Sequence, residues 1–321
     1  MRRRHALALP LLALPAAARA QSFPSRPIRL VIPFAAGGSN DIIGRILTES
    51  LGQRLGQPVV VENRGGAGGI LGNEVVASAP PDGHTLLLTG SGSFVSSGLI
   101  QPRVPYDVNR GFAHIGYIGA SPAVIAINPS LGATNLREFQ ALGKSRRQPM
   151  SYASPGVGTT GHVTGALIGQ VLGIELEHVP YRGTGPALQD VIAGRVDFIS
   201  NAAAPLQPFL QAGTLRGIAL AAARRIDLLP NLTTSVEQGF PQIDSATWFG
   251  LSATGGTPAA AVNAVHAALN ATLAEPDVRR RLLEQGLEPE PSPTPDDFAR
   301  FVASERERWG AVIRAARITA D

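Results

Sequence analysis

The chain has 321 residues, enough for two domains of ordinary size, and its 44% hydrophobic and 16% charged content excludes an intrinsically disordered protein. Aromatic residues make up only 5% and cysteine is absent, which argues against a base-stacking surface for single-stranded nucleic acid, against disulfides and against thiolate metal sites. The formal net charge of +4 is matched by four arginines in the first twenty residues, so removing that segment leaves a neutral chain without the basic footprint of a nucleic-acid binder.

Residues 1–20 read as a cleaved signal peptide. Arg2, Arg3, Arg4 and His5 form a basic start, Ala6 to Ala18 an apolar stretch, and Ala18-Arg19-Ala20 a small-residue cleavage signal. Export to the periplasm as a soluble protein is expected. There is no cysteine for a lipid anchor and no later apolar run long enough to cross a bilayer.

The mature chain opens with a strand over 28–32, rich in β-branched residues. The turn Pro33–Asp41 and a helix to Leu55 follow. Paired glycines bend this turn, and Ser39-Asn40-Asp41 can close the helix start. A strand over 58–62, a Gly-rich turn, a helix over 70–79 stopped by Pro80-Pro81, and a strand over 85–89 ending in Gly90–Ser93 complete a β-α-β-α-β alternation. Two further apolar runs, 112–118 and 123–128, are expected as strands, the second connecting to a new unit. That unit repeats the opening design: helix 136–144, strand 150–153, the turn Ser154–Thr160, and helix 160–172. Strand 177–181, helix 186–193, strand 196–201, helix 205–212 and strand 215–221 follow. A strand over 247–252 leads to helices over 258–274, 276–285 and 295–316, the last amphipathic.

The fold class expected is α/β, in two lobes, each a mainly parallel sheet flanked by helices. Lobe 1 takes 21–124 and 248–321 and lobe 2 takes 125–247, with a two-strand hinge near Ile125 and Trp248. Ligands in such sheets sit off the carboxyl ends of the strands, and a cleft between two lobes suits a small molecule.

Catalytic constellations are missing. There is no G-x-S-x-G, H-E-x-x-H or Walker A sequence, and Gly66–Gly72 departs from the dinucleotide fingerprint in the spacing of its last glycine. The histidines show no ligand spacing. His162, just inside a helix after the Ser154 turn, is the one singled out, with capping or packing as its ordinary role. What remains is an inventory of Gly, Ser, Thr and Asn in turns without Lys or Arg, where backbone N–H groups and helix dipoles would hold an anion. Neither an enzyme nor a cofactor is expected.

Several stretches resemble the substrate-binding proteins of tripartite tricarboxylate transporters, the Bug or TctC family. They are Arg26–Phe34 with Gly37, Gly38 and Asp41, Val60–Arg64 with Gly66–Gly69, Pro81–Leu86, Tyr152–Thr159, Val179–Gly183, Trp248–Leu251 and Gly256–Pro258. The resemblance runs in order along the mature chain. It implies a periplasmic binding protein of the type II-like two-lobed fold, closing on a small organic acid whose carboxylate two turns clamp through main-chain groups and water. Those turns correspond to Phe34, Ala35, Gly37, Gly38, Ser39 and Asp41, and to Ser154, Gly156, Gly158, Thr159, Thr160 and His162. Ser91, Ser93, Tyr181, Gly183, Asn201 and Ala203 complete the expected ligand-binding set, with Asp41 chiefly capping its helix, since its charge would repel an anion. The implied partners are a di- or tricarboxylate, an acidic amino acid or an aromatic acid, and the membrane subunits of a tripartite transporter, with the receptor a monomer. A receptor signalling to a sensor kinase is the alternative, and a secreted α/β hydrolase a remote one.

Overall fold

The structure, a computed structural model, describes residues 23–101 and 103–319. The expected leader therefore lies outside the described residues. The first unit begins with β1 (Ile28–Ile32), α1 (Ser39–Leu55), β2 (Val59–Asn63), α2 (Ile70–Ala77) and β3 (Thr85–Gly90). β1 pairs in parallel with both β2 and β3, as right-handed β-α-β crossovers require. Ile28, Leu30 and Ile32 of β1 pack under Ile43, Ile46, Leu47 and Leu51 of α1, all buried. The alternate face of β1, Val31, meets a separate core.

After β3 the chain coils through Ser91–Ser96 into the short helix α3 (Ser97–Ile100). The serine- and glycine-rich composition conceals this helical stretch. Tertiary packing overrides it, because Phe94, Val95 and Ile100 are buried there.

β4 (Phe112–Ile127) is one strand of 16 residues where two runs are expected. At ~3.3 Å per residue it spans about 50 Å, long enough to serve both halves of the molecule. It holds together through two register shifts against β9 (Ala246–Thr254), one on each side of Gly116–Tyr117. As far as Pro122 its partner is β9. From Ala123 onward it is β7 (Phe198–Ala202), with β8 (Arg216–Leu220) also pairing from Val124.

The second unit supplies α4 (Leu136–Ser145), β5 (Met150–Ser154), α5 (Thr160–Leu172), β6 (Leu176–Pro180), α6 (Thr184–Ile192) and, after β7, α7 (Ala203–Gln211). The chain then returns through β9 to α8 (Ala259–Leu273), α9 (Pro276–Glu284), the short β10 (Glu288–Pro289) and α10 (Pro295–Ala315). The strands form one continuous sheet in the order β2-β1-β3-β9-β4-β7-β5-β6, with β8 and β10 also on β4.

The sheet is more mixed than the alternation predicts. Pairing is parallel at both flanks, between β1, β2 and β3 and between β5, β6 and β7. It is antiparallel wherever β4 or β9 takes part, because these two strands cross between the units in opposite directions.

α10 binds the two units together. Val163 and Leu167 of α5 share a core with Phe94, Trp248, Trp309 and Ile313, and the Gln170 side chain donates to the Val312 carbonyl. At the centre of this layer Glu305 is buried. One carboxylate oxygen accepts from the indoles of both Trp248 (2.9 Å) and Trp309 (3.0 Å), which offsets the cost of burying a charged group. No helix among the described residues is long and apolar enough to cross a membrane.

Candidate functional site

Turn A joins β1 to α1. Its tip, Ala35 to Gly38, is exposed, and Gly37 takes a left-handed φ of +83°. The tip is shaped from beneath by Asp41, which is 4% exposed. Its carboxylate accepts from the Gly37 amide, from Arg45 Nε and from Asn63 Nδ2, each at 3.0 Å. Asn63 also donates to the Phe34 carbonyl at 3.2 Å. Burial alone raises the pKa of this carboxyl. The hydrogen bonds from Arg45, Gly37 and Asn63, with the Arg45 charge, outweigh it and bring the pKa down to about 2. Asp41 thus supports the turn, and its charge faces the scaffold.

Turn B joins β5 to α5 and is built the same way from different parts. Ser154 is fully buried. Its Oγ lies 2.7 Å from His178 Nε2 and exchanges hydrogen bonds with the Gly156 amide and carbonyl. Thr159 Oγ1 donates to the same Gly156 carbonyl. The Gly158 amide donates to His162 Nδ1 at 3.2 Å, so His162 closes the turn from inside its helix. His162 and His178 stack face to face, centroids 3.7 Å apart, and the Tyr152 ring extends the stack beyond His178. Burial lowers the pKa of His162 to about 4. Burial and the adjacent ring lower that of His178 to about 3, so both imidazoles are neutral at neutral pH. The Ser154–His178 contact resembles a nucleophile and base in distance only. Its hydroxyl is sealed from solvent, and no carboxylate among the described residues bonds the other nitrogen of His178.

The helical stretch after β3 joins turn B to the loop after β2, which packs on turn A. Ser91 Oγ and Thr160 Oγ1 are 2.9 Å apart. The Ser97 hydroxyl reaches both the Gly68 carbonyl (3.0 Å) and the Gly158 carbonyl (3.2 Å), tying the loop after β2 to turn B. Gly158 has φ +78°, and a Cβ there would stand 2.7 Å from Ser97 Oγ. On the other flank Gly65 backs onto Phe34 and Ala35 of turn A.

The wall of the second unit carries Tyr181, Gly183, Asn201 and Ala203. Tyr181 directs its hydroxyl to Asp190 at 2.6 Å. Burial and that carboxylate raise its pKa to about 12, so the phenol stays protonated. Gly183 precedes α6. Asn201 donates to Thr184 Oγ1 and accepts from the Ala202 amide. Ala203 is the buried first residue of α7. Ser93 is buried behind Gly69 with its hydroxyl unpartnered.

The structure therefore brings the expected residues to the carboxyl ends of strands that point toward one another from the two units, level with residues 119–123 of β4, but divides their roles. The side chains of Asp41, Ser154, His162 and Tyr181 hold the scaffold. Ala35, Gly37 and Gly38 present backbone. Asn63, Ser97 and His178 escaped the sequence reading. Only Asn63 had a signal, as the polar end of a strand.

No side chain caps α1, α5, α6 or α7, the helices that start at these strand ends. Asn135 caps α4 and Thr294 caps α10, while α2, α3, α8 and α9 also lack a side-chain cap. Uncapped N-termini offer backbone N–H groups and a positive dipole end. Near turn A the cations are already paired, Arg45 with Asp41 and Arg64 with Glu62. The arrangement suits a small anion held by main-chain donors.

Comparison with known proteins agrees with this geometry. Residues 43–318 match the model of the tripartite tricarboxylate transporter family receptor. The chain is similar to BugT of Bordetella pertussis, 34% identical over 92% of this chain and 90% of that protein. Among solved structures it is similar to MatC of Rhodopseudomonas palustris with bound malate, 32% identical with a TM-score of 0.81 over 91% of this chain and all of that one. It is also similar to R. palustris Rpa4515 with adipate, 31% identical with a TM-score of 0.84 over 92% of this chain and 99% of that one.

Proposed function

We propose, from the premise that the chain belongs to the tripartite tricarboxylate transporter receptor family, that it captures a small carboxylate-bearing acid between turns A and B and delivers it to the membrane subunits of such a transporter. The observation that supports this reading is the pair of helix starts without a side-chain cap, α1 on turn A and α5 on turn B, with turn B tied by Ser97 to the loop after β2 that packs on turn A. A carboxylate placed there accepts main-chain N–H bonds and needs no lysine or arginine. The adipate and malate of the two related structures are acids of this class.

In this reading the lobes divide where β4 changes partner, between Pro122 and Ala123, and again near Ser245–Ala246 where the chain enters β9. The receptor works in the periplasm as a monomer and its role is binding without turnover.

A thermal-shift screen of organic acids, followed by calorimetry, tests the function. An acid that binds the folded state alone raises its apparent stability, by about 2.7 kcal/mol at a hundredfold excess over Kd. Gly38→Val and Ser154→Ala are expected to weaken that acid's binding while leaving the fold intact. Unchanged affinity in both variants overturns the assignment of the two turns.

A further inference from the structure

A groove of about 580 Å³ opens between α5, β6 and residues 316–319, and of the two turns only Val157 reaches it. Its floor is apolar, with Ala166, Ile174 and Leu176. His162 enters it from turn B. This side chain is 6% exposed, and its Nδ1 is taken by the Gly158 amide. With Nδ1 accepting, the neutral ring carries its proton on Nε2, which is then a donor. Arg317, exposed at the end of α10, lines the same groove and makes no ion pair among the described residues. No aspartate or glutamate among the described residues lines it.

We propose that this groove is a second binding site, for a small amphipathic anion such as an aromatic carboxylate. The apolar floor takes the ring, and the carboxylate pairs with Arg317 and accepts from His162 Nε2–H. The charge of the lining selects the anion, since Arg317 and His162 both line the space and no carboxylate among the described residues does. The site is coupled to turn B through one ring. An anion bonded at Nε2–H makes Nδ1 a better acceptor, which strengthens its bond from the Gly158 amide. Only the consequence of this coupling for transport rests on reading turn B as a jaw.

Benzoate is the probe, titrated against the full mature chain and followed by amide NMR. The Gly38→Val variant is titrated in parallel, so that occupancy of the interlobe cleft is told apart. Saturable shifts are expected at Gly169, Gln170, Arg317 and Gly158 in both proteins. Arg317→Ala and Ala166→Leu, both at accessible positions, are expected to weaken them about tenfold through loss of a charge-assisted hydrogen bond and of space. Hydrogen exchange at Gly158 slows with benzoate and loses that response in His162→Phe. Shifts that never saturate, shifts confined to residues 33–41 and 154–160, or equal binding by both groove variants overturn the site. Exchange at Gly158 that ignores benzoate overturns the coupling.

Discussion

Asp41→Asn tests whether turn A is held from beneath. The carboxylate accepts three hydrogen bonds at 3.0 Å, and its pKa lies near 2 against an ordinary 3.8. A depressed carboxyl pKa contributes stability that is present above the unfolded value and lost as pH falls through the folded one. At ~1.4 kcal/mol per pKa unit, the shift corresponds to about 2 kcal/mol at neutral pH. Asn removes the charge and keeps the shape, so it loses about that amount, a fall in Tm of roughly 3 °C for a chain of this size. The deficit narrows between pH 4 and pH 2, and by pH 3 about half remains, since the wild-type carboxylate loses its advantage as the unfolded chain takes up protons. Denaturant melts of both proteins at pH 7, 4 and 3 measure this, with calorimetry at pH 7 for binding. A deficit that stays constant from pH 7 to pH 3, or no deficit at all, refutes the account of Asp41 as the charged support of the turn.

The stacked histidines act in a different window. With pKa values near 4 and 3, His162 and His178 stay neutral in the folded protein while the unfolded chain protonates them below about 6.5, so stability falls as pH drops from 6.5 toward 4. Each contributes up to about 3 kcal/mol of that loss. His114, lowered to about 4 by burial and the Arg306 charge, adds its own share, so the pair is read as the flattening of the slope in a His162→Phe, His178→Phe double variant. A slope identical to wild type rejects the assignment. Ser97→Ala removes the hydroxyl between Gly68 and Gly158 and is expected to weaken carboxylate binding about three- to tenfold, at about 1 kcal/mol per hydrogen bond, with little change in Tm; unchanged calorimetric affinity rejects the latch. Gly158→Ala forces a side chain into a left-handed backbone and against Ser97 Oγ. A loss of at least about 1 kcal/mol in chemical denaturation is expected, and a neutral result contradicts the packing described for turn B.

Much of the fold is legible in local signals. The α5 helix falls at 160–172 both in the sequence reading and in the structure, because a Gly/Thr turn starts it, apolar periodicity sustains it and Gly173 in a left-handed conformation ends it. The turns themselves are legible for the same reason. What escaped depends on neighbours distant in sequence. Ser97 meets Gly158 across 61 positions, so nothing around it distinguishes it from other loop serines, and although Ser91 was expected at the site, its contact with Thr160 across 69 positions was not. The coil at 91–100 is stabilised by burial of Phe94 and Val95 against α10 and Trp248, not by propensity. β4 looks broken in sequence, since Gly119 and Pro122 interrupt it, yet antiparallel pairing with β9 carries it through both. His178 alternates with its neighbours like any strand residue, and only the parallel register that sets it opposite Tyr152 brings it onto His162.

The open starts of α1 and α5 give the site its physical logic. Gly38 and Thr159 precede these helices without a side-chain hydrogen bond to the first turn. A missing cap costs a helix a few tenths of a kcal/mol where Gly takes the position and up to about 1 kcal/mol otherwise. That deficit is tolerable at the two turns if an anion satisfies the same N–H groups, so part of the binding free energy comes from completing helix ends that the unliganded chain leaves incomplete. Donors supplied by the main chain cannot be deleted by truncating a side chain. Affinity should therefore respond most to substitutions that reshape the backbone of the turns, at Gly37, Gly38 and Gly158. Exchange of exposed cations should matter little, because those near turn A are already paired and none belongs to either turn. High salt should correspondingly weaken binding less than it would in a site built on arginines, since dipoles and short N–H contacts are screened less than charges exposed to solvent.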